Sequence, residues 1–114
     1  MRLKEARQIF KAFSDDTRLR IVNLLNAQDL AVKEIFQILN RNQSIISKHL
    51  TRLRLTGIVG DRRKGVNVYY YLIRSKDRSH DRLVRAITDG LSGLEVFKDD
   101  LKRMRQLKKK RRKQ

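Results

Sequence analysis

The sequence predicts a mainly helical domain carrying one small β-hairpin, on three observations. Apolar residues recur at helical spacing through the first 55 residues and again after residue 80. The period changes to alternation only between Ile58 and Ile73, and the 114-residue chain, 39% hydrophobic, has room for one modest core.

Taken in order, Leu3, Ala6, Phe10 and Phe13 form one stripe, with Ile9 beside it, on a helix over residues 3–13. Ser14, Asp15 and Asp16 offer acceptors to free backbone N–H groups and place negative charge at a helix start, so a second helix runs from about Asp15 to Asn26. Its Leu19, Ile21, Val22, Leu24 and Leu25 leave few sides for water. Val32, Ile35, Phe36 and Leu39 stand at i, i+3, i+4 and i+7 and mark a short third helix near residues 31–39. Asn42 is a good N-cap for a fourth, which ends at Gly57, where a left-handed residue costs little. On that fourth helix Ile46, Leu50 and Leu53 face inward, and Gln43, Ser44, Ser47, Lys48 and Thr51 lie opposite them.

"IVGDRRKGVNVYYYLI" then alternates and is rich in Val, Ile and Tyr, which reads as a hairpin with strands near 58–63 and 67–73 and its tip at Arg63, Lys64 and Gly65. Alternation sets Tyr70 opposite to Tyr69 and Tyr71, so packing of at least one side on the core explains the tyrosines better than base stacking does. Beyond "RSKDRSH", the residues Leu83, Ile87, Gly90, Leu94, Phe97, Leu101 and Met104 are spaced by alternating steps of 4 and 3, a heptad seam on one long helix. Nothing follows for that helix to pack on, so its seam must cover the first helix or meet another chain. Gly90 within it makes sense if something packs closely there. The domain is thus expected to span 1–105, with 106–114 a basic, frayed tail.

The formal charge is +17, from 29 Lys and Arg against 12 Asp and Glu, and the expected partner is a polyanion. Basic residues spread through the folded pattern as well as the tail favour nucleic acid over an anionic membrane. No run approaches the roughly 20 apolar residues of a membrane span, and the N-terminus lacks the pattern of a signal peptide, so a cytoplasmic protein working at the nucleoid is expected. The absence of Cys removes disulfides, thiol redox chemistry and thiolate metal sites. With only His49 and His80, and no HExxH, P-loop, GxGxxG or GxSxG pattern, neither an enzyme nor a cofactor is expected.

A short helix, a tight turn, a helix with an exposed polar face and then a charged hairpin is the order of a winged helix-turn-helix. The outer face of the fourth helix would enter the major groove, where Gln, Ser and Lys can bond base edges, and Arg62, Arg63 and Lys64 would reach phosphates or the minor groove. The segments "FKAFSDDTRLRIVNLL", "VKEI", "NQSIISKHLTRLRLTGIV" and "RRKGVNVYYYL" resemble the ArsR/SmtB family of bacterial and archaeal winged-helix repressors over roughly residues 8–73. That resemblance implies a homodimer joined through its first and last helices, with Leu3, Phe10, Leu83, Ile87, Gly90, Leu94, Phe97 and Leu101 at the interface. It also implies DNA contacts from Gln43, Ser44, Ser47, Lys48 and His49 on the recognition helix and Arg62, Arg63 and Lys64 on the wing. Asn42 and Arg52, from the same helix, join that set.

Departures from the family pattern narrow the expectation. Ala31 and Lys33 stand where metal-sensing members carry two cysteines in an "ELCVC" segment. Leu91 and Leu94 occupy the positions of one half of a second family metal site, leaving His80, Asp81 and Asp77 as at most a weak set. The sequence therefore points to a dimeric regulator, chiefly a repressor, on a pseudo-palindromic duplex, with its inducer unknown. The alternative is an architectural protein that coats DNA by charge alone, separable by competition between specific and random duplexes.

Overall fold

In the computed structural model, which describes residues 1–74 and 77–112, the chain runs α1 (Leu3–Ala12), α2 (Asp16–Ala27), β1 (Leu30–Ala31), α3 (Val32–Leu39), α4 (Gln43–Leu55), β2 (Val59–Lys64), β3 (Asn67–Leu72), α5 (Arg78–Leu91) and α6 (Glu95–Arg112). The first four helices and the hairpin lie where spacing and capping put them. Asp15 caps α2 by accepting from the Arg18 N–H at 3.0 Å, and Asn42 caps α4 by accepting from the Ile45 N–H at 2.9 Å. Between them Asn40, at φ 52°, ends α3 in the left-handed region that Asn tolerates better than most residues. Gly57, at φ 74° and with open space where a Cβ would stand, turns the chain out of α4.

The inner stripe of α4, Ile46, Leu50 and Leu53, is completely buried with Ile21, Leu24 and Ile35 in a single apolar cluster. Each such side chain contributes roughly 1.5–3 kcal/mol of burial. On α1 the core takes Ile9, Ala12 and the adjoining Phe13, whereas Leu3 is 82% and Phe10 58% exposed. The expected stripe therefore divides: Phe13 faces the core, and the Leu3 and Phe10 side faces outward.

The sheet has the order β1-β3-β2, all antiparallel, with Leu30 paired to Tyr70 and the β2–β3 register running from Val59 with Leu72 to Lys64 with Asn67. Two-residue β1 has no alternation to reveal it in sequence. Tyr70 packs on the core as expected, and its phenol is pushed up by burial, then by Asp61.

The C-terminal third corrects the expectation. Instead of one long helix there are two, broken at residues 92–94, where the Ser92 hydroxyl and N–H both bond to the Asp89 carbonyl and Leu94 N–H bonds back to Leu91. Gly90 and Gly93 lower helix propensity on either side, and no atom of the same chain lies within 4 Å of a Cβ built at either. The break lets α6 fold back on α2 and α3. Phe97 and Met104 are buried and Leu101 packs on the core, so this half of the heptad serves its own chain. Leu83 and Ile87 on α5 are half-buried against the same core, and Leu94 stays 45% exposed.

Polar contacts complete the docking of α6. Asp100, with no exposed surface, accepts two bonds from the Arg20 guanidinium at 2.8 and 2.9 Å and another from Arg103. Asn23 donates to the Phe97 carbonyl at 3.2 Å. Near the other end, Lys108 and Arg111 pair with Glu34 of α3 at 2.8 and 3.1 Å, and Arg111 also donates to Gln37 at 3.3 Å. Residues 106–112, expected to fray, thus continue α6 as helix. Lys113 and Gln114 of the expected tail, and Ser75 and Lys76 of the expected break, lie outside the described residues.

Candidate nucleic-acid interface

With one side of α4 held in the core, its outer side is fixed by helical geometry: Ser44, Lys48 and Thr51 are exposed along one line. Gln43 and Ser47 stand at the edge of that face and, with Ala31, Val32, Lys33 and Phe36 of α3 and Val66, Asn67 and Val68 of the wing, line one open groove. The structure thus brings recognition helix, first turn of α3 and wing tip around a shared concavity. Lys33 and Asn67 were not anticipated there. Lys33 could have been found from its place in the first turn of the helix preceding the recognition helix, which crosses the DNA backbone in this motif.

Local bonds restrain part of the set. The Asn42 oxygen is used twice, by the Ile45 N–H and by the Ser44 hydroxyl at 3.0 Å, so the Asn42 amide and the Ser44 oxygen remain free to meet a ligand. Thr51 returns its hydroxyl to the Ser47 carbonyl at 2.9 Å. Arg52 is exposed but borders a different depression, with Gln8, Lys11 and Ala12 of α1.

His49 is placed away from the groove-lining residues. It is half-buried, its Nδ1 3.1 Å from an Arg18 guanidinium nitrogen and 3.8 Å from Asp15. Arginine only donates, so Nδ1 accepts and the ring is neutral with its proton on Nε2. Burial holds the imidazole below its ordinary pKa, with Asp15 opposing and Arg18 reinforcing the shift. Burial also pushes the Asp15 carboxyl up, but the Arg18 N–H bond, the His49 ring whenever it is protonated, the Arg18 charge and the Thr17 N–H bond more than offset it and leave it low. His49 thus ties the recognition helix to the start of α2.

On the wing, β2 runs one residue past its expected end, to Lys64 of the expected tip, β3 starts at Asn67 as expected, and the loop is Gly65 and Val66. Gly65 has φ 65°, the positive value that a two-residue hairpin loop requires at its first position. Arg63 and Lys64 are exposed. Arg62 instead pairs with Asp29 at 2.6 Å and lies 5.6 Å from the centre of the Tyr71 ring, which holds it along the wing stalk.

The weak metal set is directed elsewhere. Asp77 caps α5 through the Ser79 and His80 N–H groups and pairs with the N-terminal amine at 3.4 Å, while Asp81 pairs with Arg85. Among the described residues no three His, Cys, Asp or Glu side chains are grouped to hold a metal ion.

The profile of the family described as "Bacterial regulatory protein, arsR family" matches residues 15–60, from α2 into the wing. An uncharacterized HTH-type transcriptional regulator of Methanocaldococcus jannaschii is 38% identical over 82 residues, which cover 71% of this chain and 92% of the relative. The chain belongs to the arsR family. A second relative, the arsenic resistance transcriptional regulator ArsR1 of Pseudomonas putida, is 39% identical over 82 residues, spanning 71% of this chain but only 64% of that protein's length. A homodimeric winged helix-turn-helix DNA-binding domain from Mycobacterium bovis superposes with a TM-score of 0.65 at 28% identity, over 82% of this chain and 87% of that one. Like other arsR-family proteins, the chain is a DNA-binding transcriptional regulator with a winged helix-turn-helix fold. Among the described residues no helix is long and apolar enough to cross a membrane.

Proposed function

We propose that the protein is a transcriptional repressor that binds a pseudo-palindromic duplex as a homodimer, in the cytoplasm at the nucleoid, and represses by occupying a promoter. The observation that carries this is the groove in which Gln43 and Ser47 of α4 meet Lys33 and the wing tip. It joins groups suited to base edges with cations suited to phosphates. Gln43, Ser44, Ser47 and Lys48 read bases; Lys33, Arg63 and Lys64 hold the backbone. Thr51 extends the reading face. The exposed Leu3 and Phe10 of α1, the outer side of α5 and Leu94 supply the dimer contact. Ala31 and Lys33 leave the arsenical-type cysteine site without ligands, so release follows another signal or none.

The test uses duplexes selected from a random pool. Gln43→Ala is expected to lower the preference for selected over random duplex by roughly 1–3 kcal/mol. Arg63→Ala should weaken both alike and reduce the slope of log K against log salt by about 0.9 for each phosphate lost. A wild-type preference near one would instead identify a protein that coats DNA without reading it.

A further inference from the structure

The segment Lys102 to Arg112 holds eight Lys and Arg and no Asp or Glu, yet it is an ordered helix seated on the helix-turn-helix. The seat is specific. Lys108 and Arg111 converge on Glu34, which is 3% exposed and also accepts from the Ala31 N–H at 2.9 Å, so the last turns of α6 are fastened to the first turn of α3. That same turn of α3, through Ala31, Val32 and Lys33, borders the groove shared by the recognition helix and the wing. On α3, Lys33 and Gln37 lie four residues apart on one face, so the edge that receives Arg111 adjoins the edge that carries Lys33. Glu34 neutralises one of the two cations it holds, and Arg105, Lys109 and Lys110 of the same helix remain exposed.

We infer that the C-terminal half of α6 is a further DNA contact, a phosphate clamp that continues the interface past the first turn of α3 onto the duplex flanking the recognised site. Charge selects a polyanion, and continuity with the groove selects the duplex already held there. No residue of α6 lines the groove, so the helix lengthens the footprint and adds affinity without adding sequence preference.

This rests on the reading of α4 as the recognition helix, and the experiment separates the two. Lys109→Gln/Lys110→Gln, which spares the Glu34 pairs, is compared with the unaltered protein on a selected duplex of minimal length and on the same duplex extended by about one helical turn at each end. The unaltered protein should bind the extended duplex at least tenfold more tightly, and the variant should lose that advantage while keeping its preference for selected over random sequence. Its salt slope on the extended duplex should fall by up to about 3.6, four lysines per dimer at roughly 0.9 each. Unchanged helix content by circular dichroism secures the fold of the variant. Equal binding of both duplexes by the unaltered protein, or wild-type behaviour of the variant, overturns the clamp and leaves the recognition helix untouched. A variant defective only on single-stranded RNA overturns it in favour of an RNA contact.

Discussion

Helices α4 and α6 look alike in composition, each with one buried stripe and a basic, polar outside, but they are held by different physics. The stripe of α4 is wholly apolar, Ile46, Leu50 and Leu53 without exposed surface. The stripe of α6 mixes Phe97, Leu101 and Met104 with a buried carboxylate, Asp100, and ends on cations that pair with Glu34. Apolar anchoring is not screened by salt and leaves the outer residues of α4 out of the core. Ionic anchoring ties α6 to one particular base, Arg20 of α2, and one particular acid, Glu34 of α3, and makes its far end responsive to ionic strength.

That difference can be broken at its strongest point first. Asp100→Ala removes the acceptor of Arg20 and leaves that cation in a largely buried site, so urea unfolding should show a loss of about 3–5 kcal/mol. A loss under about 1 kcal/mol would mean that Phe97 and Met104 alone dock α6. Glu34→Gln is milder, because an amide oxygen still accepts from the Ala31 N–H while the charge pairs vanish. Stability should fall by about 1 kcal/mol or less, and amide exchange should quicken in residues 105–112 but not in α4. Uniform exchange across both helices would show that they unfold together.

The smallest effect concerns pH and sharpens the account of α4. His49 is held below its ordinary pKa by burial, so the unfolded chain binds the proton more readily. Stability is fully present above the unfolded value of about 6.5 and declines as pH falls from there through the lower folded value. The melting temperature should drop slightly over that window, and His49→Gln should flatten this part of the profile. An unchanged profile would mean that His49 contributes nothing through its charge.

The same contrast explains what could be read in advance. The helices through α4 follow from spacing and from caps within three residues, Asp15 to Arg18 and Asn42 to Ile45, and the hairpin from strict alternation. Of the groove's lining, Gln43 and Ser47 follow from those elements, whereas Lys33 and Asn67 do not. The seating of α6 depends on Arg20 meeting Asp100 and Glu34 meeting Arg111, pairs 80 and 77 residues apart that no local pattern encodes. A 4-3 spacing also runs unbroken across Gly93, so the heptad count was correct while the helix it implied was not. The sequence leaves His49 open between packing and DNA contact for a related reason, since the partner that decides it, Arg18, is 31 residues away.

Gly57 shows a further kind of constraint. Its positive φ with nothing within 4 Å of a Cβ means that the position has room for a side chain and objects only to its handedness. A mirror-image alanine, introduced by chemical ligation, would satisfy both conditions and stabilise the fold by roughly 0.4–1 kcal/mol through a less disordered unfolded chain. At the end of the recognition helix, glycine is thus the nearest that the ribosome's L-only repertoire comes to a D-residue.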